Sequence, residues 1–142
     1  MIGIGSDHGG FGLKQQIVAH LEANNIAVKD FGCYDESSVD YPEYARLVAN
    51  AIVSGECEKG IVICGTGIGI SIAANKVKGI RCALCHDCFS ARATREHNDA
   101  NMLALGARVI GSGLALQIVD EFLSTEFSND KRHMHRISLI ES

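Results

Sequence analysis

One stretch constrains this chain more than any other: Gly60-Ile61-Val62-Ile63-Cys64-Gly65-Thr66-Gly67-Ile68-Gly69-Ile70-Ser71. It opens as a short, wholly apolar run, which fits a strand buried on both faces of a parallel sheet. A thiol and three alternating glycines follow, and then Ile70 to Asn75, which suits a helix. Strand, glycine-rich turn and helix together build an anion site. The glycines let the backbone curl its N–H groups to one side, and the helix start adds partial positive charge. Cys64 stands at the lip of that site, where the same field favours a thiolate. A base beside an anion hole suits removal of a proton next to a carbonyl, because the enediolate formed needs stabilising.

The rest of the chain has room for one domain around this stretch. Its 142 residues bury a single core but not two ordinary ones. A net charge of −4 argues against general nucleic-acid binding. No apolar run is long enough for a bilayer, and Met1 to Gly5 leads straight to Asp7 without a signal peptide, so a cytoplasmic protein is expected. The six cysteines then read as free thiols. Cys82-Ala83-Leu84-Cys85-His86 matches a haem-attachment pattern, and Cys85 and Cys88 form a second C-x-x-C. If Ile80 to Cys85 is a strand, however, Cys82 and Cys85 point to opposite faces and cannot close on one ion. No metal and no cofactor are expected.

Read in order, strand and helix alternate about five times. Residues 2–6 form a strand that ends in Ser6-Asp7-His8-Gly9-Gly10. Leu13, Ile17 and Leu21 then mark one face of a helix. Ile26 to Phe31 is a second strand, and a polar loop from Cys33 to Asp40 leads to a helix opened by Tyr41-Pro42. After the central stretch come a strand at Ile80–Cys85, a helix from Cys88 capped by Asp87, and a break at His97-Asn98-Asp99. Asn101 to Ile110 reads as a last strand, bulged at Gly106, followed by a helix from Leu114 to Leu123 and a basic tail at about 129–142. The expected fold is α/β, a single doubly wound, Rossmann-like domain over 1–142. It has a five-stranded parallel sheet with helices on both faces. Ligands of such sheets bind beyond the carboxyl ends of the strands, where Asp7-His8, Cys64 to Gly69, His86-Asp87 and His97-Asn98 are expected to gather.

Each candidate has a plainer alternative. Asp7-His8 also suits a helix cap, and Cys64 a small buried hydrophobe. The loop is not that of a cysteine phosphatase, since Ile70 stands where that loop needs an arginine. The glycine spacing misses the dinucleotide fingerprint. His97-Asn98 also suits a C-cap. Arg132 and Arg136 share one face of a helical tail, as a solvated surface or as a bidentate phosphate clamp. His133-x-His135 lacks the further partners a metal pair would need.

Taken together, Ser6-Asp7-His8-Gly9-Gly10, Asp40-Tyr41-Pro42, Cys64 to Gly69, Ala74-Asn75-Lys76-Val77, Arg95-Glu96-His97-Asn98-Asp99-Ala100-Asn101, and Arg132-His133 with Arg136 resemble the ribose-5-phosphate isomerase B family, in order and from residue 1 to about 140. The resemblance implies an aldose–ketose isomerase interconverting ribose 5-phosphate and ribulose 5-phosphate, without metal or cofactor. It implies that Cys64 is the base and that Thr66 with the N–H groups of Gly65, Gly67, Ile68 and Gly69 holds the enediolate. Asp7 would pass the hydroxyl proton and His97 would open the furanose ring. His8, Arg108, Arg132 and Arg136 would hold the phosphate, and Tyr41 and Asn98 the sugar. A homodimer or homotetramer is implied, with sites shared between chains and no nucleic acid or membrane partner. The family's other branch has a glutamate base near the position of Ser71; with Cys64 present, this chain resembles the cysteine type. The alternatives are an isomerase of allose 6-phosphate or galactose 6-phosphate, and a sugar-phosphate-binding regulatory module without turnover.

Overall fold

Glycines on one face of two adjacent strands decide how closely the layers meet. A Cβ on Gly60 would lie 2.5 Å from Val48, and one on Gly5 would lie 2.9 Å from the same side chain. The helix that carries Val48 therefore packs directly on the sheet backbone. The computed structural model describes residues 1–142. Its elements are β1 (Ile2–Ser6), α1 (Phe11–Ala23), β2 (Val28–Asp30), α2 (Tyr41–Val53), β3 (Lys59–Cys64), α3 (Ile68–Asn75), β4 (Cys82–Leu84), α4 (Cys88–Asn98), β5 (Met102–Gly106), α5 (Ser112–Ser124) and α6 (Lys131–Glu141). A short 3-10 turn, His8–Gly10, joins β1 to α1.

The sheet is parallel throughout, in the order β2-β1-β3-β5-β4. This is the doubly wound α/β architecture expected. Period-two alternation divides the core. Ile61 and Ile63 pack with α1, α4 and α5 residues such as Ile17, Ala91 and Ile118. Val62 and Cys64 face the opposite layer, with Val48 of α2 and Ile70 of α3. Ile61 and Ile63 are fully buried, and burying such a side chain contributes about 1.5–3 kcal/mol. The chain leaves β1 for β2 on one side and reaches β3 on the other. The ends of β1 and β3 thus form the crevice where such sheets bind ligands.

Cys82 and Cys85 do face opposite layers, the first against the α2/α3 core and the second inside the other. No helix is long and apolar enough to cross a membrane. Three strands depart from expectation, and β2 covers only Val28–Asp30 of the expected Ile26–Phe31. Asn101 to Ile110 is not a single bulged strand, because β5 stops at Gly106 where its partner β3 ends. The N–H groups of Val109 and Ile110 turn back onto the Gly106 carbonyl at 3.0 and 3.3 Å. β4 is also shorter than expected. The Asn75 side chain covers its outer edge, accepting from Cys82 N at 2.8 Å and donating to Cys82 O at 2.9 Å; a capped edge resists further strand pairing.

Candidate active site

The last residue of β3 is Cys64, 5% exposed at the rim of the core. Gly67 takes φ +76°, a left-handed conformation that glycine adopts without strain. That turn swings the Gly67 N–H back to donate to Cys64 Sγ at 3.1 Å. The sulfur is therefore an acceptor in its resting geometry. Thr66 Oγ1 accepts from Ile68 N at 3.2 Å. Two N–H groups expected to face an oxyanion, those of Gly67 and Ile68, are thus already engaged. The N–H groups of Gly65, Thr66, Gly69 and Ile70 have no acceptor in the chain, and the last two belong to the first turn of α3, where a helix leaves its donors free.

Around this loop the fold gathers four more predicted residues. Asp7, 7% exposed, follows β1 and accepts from Gly10 N through Oδ1 at 3.1 Å, so the capping alternative is real. Its Oδ2 has no protein partner and remains available. The crevice is narrow: a Cβ on Gly9 would touch both Asp7 Oδ1, at 3.4 Å, and Gly65 N, at 3.5 Å. His8 accepts from Val39 N at Nδ1 (3.1 Å), which leaves Nε2 as the protonated, donating nitrogen of a neutral ring. Arg108 N donates to Gly65 O at 2.9 Å, and its guanidinium stem lies against Gly65. Tyr41 covers Gly69 so closely that a Cβ there would lie 2.5 Å from its ring. His86, also at this end, accepts from Gly106 N through Nε2 at 3.1 Å and so supports the backbone beneath Thr66.

The remaining four candidates are elsewhere. α4 runs back antiparallel to the strands, and at about 1.5 Å per residue it carries His97 and Asn98 to the far end of the sheet. There Asn98 O accepts from Arg81 Nε at 2.8 Å, just ahead of β4. His97 stacks on His133 of α6, with ring centroids 4.6 Å apart. Arg132 and Arg136 stand exposed on α6; Arg132 has only Asp130 at 3.7 Å, and Arg136 has no acidic partner. A cavity of about 720 Å³ lies between the β4 edge and α6 and is lined by Arg81, Asn98 and Ile140 among others. None of the Cys64 crevice lines it.

Protonation separates the thiols. Burial pushes Cys85 up to about 11, with the Asp87 charge adding to it, and also raises Cys82 and Cys57. Asp87 caps α4 by accepting from Ser90 N at 2.6 Å and Ser90 Oγ at 2.9 Å. Those hydrogen bonds hold its carboxyl below the usual range.

The family model described as Ribose/Galactose Isomerase matches residues 2–140. The chain is 56% identical over 140 residues to a putative sugar phosphate isomerase of Bacillus subtilis, covering 98% of this chain and 93% of the relative. It is 49% identical to ribose-5-phosphate isomerase B of Escherichia coli over 139 residues, covering 98% and 93%. Among solved structures it is similar to ribose-5-phosphate isomerase B of Clostridium thermocellum, with a TM-score of 0.97 and 57% identity over 99% of this chain and 94% of that one.

Proposed function

The chain belongs to the ribose/galactose isomerase family and is a sugar-phosphate aldose–ketose isomerase, and from that premise we propose that it interconverts ribose 5-phosphate and ribulose 5-phosphate at the Cys64 crevice. The observation that carries the site is a thiol at a strand end, beside a carboxylate and a loop with four N–H groups lacking an acceptor.

Cys64 takes the proton from C2 of the open-chain aldose and returns it to C1. Asp7 passes the hydroxyl proton from O2 to O1. The enediolate between these steps is held by Thr66 and the free N–H groups of the loop, with the start of α3 adding its positive end. Tyr41 orients the sugar; His8, through Nε2–H, and Arg108 hold the phosphate. His97 opens the furanose, and Asn98, Arg132 and Arg136 complete the sugar and phosphate contacts. Because these four lie at the opposite end of their own chain, they serve the crevice of a second copy. Supporting this, α6 buries none of its residues, and Met134, Leu139 and Ile140 on it are more than half exposed. A homodimer is the smallest assembly that closes the site. The six free thiols suit a reducing, cytoplasmic setting.

Incubation with ribose 5-phosphate, following ribulose 5-phosphate, tests the reading. Turnover is expected. Turnover of a six-carbon sugar phosphate alone would move the substrate assignment, and binding without any turnover would make the protein a regulatory module.

A further inference from the structure

α1 buries a lysine completely. Lys14 is 0% exposed, in a helix whose other inward residues are Leu13, Ile17 and Leu21. Its Nζ lies 2.6 Å from Asp30 Oδ2 at the end of β2, over the rings of Phe11 and Tyr34 at 5.2 and 5.8 Å. Removing such a charge from water is costly, and an apolar pair of similar volume often stabilises a fold as well. The pair therefore calls for a role beyond stability.

Asp30 uses its other oxygen, Oδ1, to accept from Gly32 N at 2.8 Å, and its carbonyl accepts from Tyr34 OH at 3.3 Å. Gly32 and Cys33 continue the pairing with Ser6, through Ser6 N to Gly32 O at 2.7 Å and Cys33 N to Ser6 O at 2.8 Å. The chain then crosses residues 34–38, all exposed, with short internal bonds such as Ser37 N to Asp35 Oδ1. It lands at Val39, whose N–H donates to His8 Nδ1. The loop is thus fixed at two ends, one by Lys14–Asp30 and one on His8. The bonds of Asp30 to Gly32 and of Gly32 and Cys33 to Ser6 set the direction in which the chain leaves the sheet, and residues 34–38 carry it from there to Val39.

We infer that Lys14, through Asp30, is a positioning residue for His8: it sets the path of the 33–40 loop, and the loop fixes the tautomer and orientation with which His8 meets the substrate phosphate. The inference rests on the proposed phosphate role of His8. Lys14 itself touches no substrate.

A double-mutant cycle separates this from a merely structural role. Lys14→Met is expected to raise KM about 3- to 10-fold with kcat within about 2-fold, a loss of uniform binding. In a His8→Ala background the same change should add less than about 2-fold, since both act on one contact. Asp30→Asn, which keeps the size and the acceptor for Gly32 N, should repeat the pattern and serves if Lys14→Met does not fold. Hydrogen exchange gives a readout independent of substrate: the Val39 amide should exchange at least about 10-fold faster in either variant, while the amides of Ile61 to Ile63 keep their protection. Additive effects on KM, or unchanged Val39 exchange in a folded variant, would overturn the inference. An unchanged KM in His8→Ala alone would instead remove His8 from the phosphate site. Val39 exchange would still report whether Lys14 controls the loop.

Discussion

The two ends of the sheet are built in opposite ways. At the carboxyl end, Cys64, Asp7, His8 and Thr66 each have a hydrogen bond from or to the backbone. They are held before any ligand arrives, and fixed groups cost little reorganisation during a reaction. At the other end, Arg132 and Arg136 project from an exposed helix. Their long side chains would lose rotamer freedom on binding. On the proposed assignments the first region carries the isomerising proton transfer, and the second carries ring opening and capture. On those assignments, neither end is a complete site within one chain, and a second copy would bring the two together.

The comparison is tested first where the expected effect is largest. On its proposed role, Cys64→Ala removes a proton-transfer group and no phosphate ligand, so kcat should fall by about 10²–10⁴-fold with substrate affinity largely kept. Steady-state kinetics and a binding titration check it; more than about a third of normal activity would break the assignment. In the same protein, iodoacetamide should modify Cys64 ahead of Cys57, Cys82 and Cys85, whose thiols burial holds protonated.

His97→Ala should act in one direction. Losing a general acid–base group for ring opening should cost on the order of 10²-fold with ribose 5-phosphate. Initial rates from ribulose 5-phosphate, which cannot close a furanose with phosphate on C5, should fall far less. Equal loss in both directions would make His97 part of the proton transfer and erase the division between the two ends. Smallest is the capture effect: Arg132→Ala and Arg136→Ala should each raise KM by the equivalent of about 1.5–3 kcal/mol of charge-assisted hydrogen bonding. Unchanged KM in both would leave α6 a solvated surface.

Much of the carboxyl end was legible because its signals are local. A four-residue apolar run, a thiol and alternating glycines occupy adjacent positions, and the physics of strand, turn and helix start fixes their geometry. The α4 cap at Asp87 was legible for the same reason. What sequence periodicity missed depends on contacts distant along the chain. The end of β5 at Gly106 is set by the end of β3, which no local pattern encodes. Lys14 lies where the pattern places an inward helix face, but its partner is sixteen residues away and its burial cannot be read from charge. The engagement of Gly67 and Ile68 N–H by Sγ and Oγ1 likewise needed coordinates. The remote position of His97, Asn98, Arg132 and Arg136 follows only once α4 is seen to return down the sheet.

The central claim is that one working site takes Cys64 from one chain and His97 from another. Co-expressing Cys64→Ala and His97→Ala with different affinity tags, and purifying the doubly tagged assembly, tests it most directly. In a hybrid dimer one site has lost both groups and the other has lost neither. The account predicts forward activity on ribose 5-phosphate near half that of the unmodified dimer, while each parent variant alone stays nearly inactive. Verified hybrid dimers as inactive as their parents would contradict it, and would place Cys64 and His97 in the same chain's site.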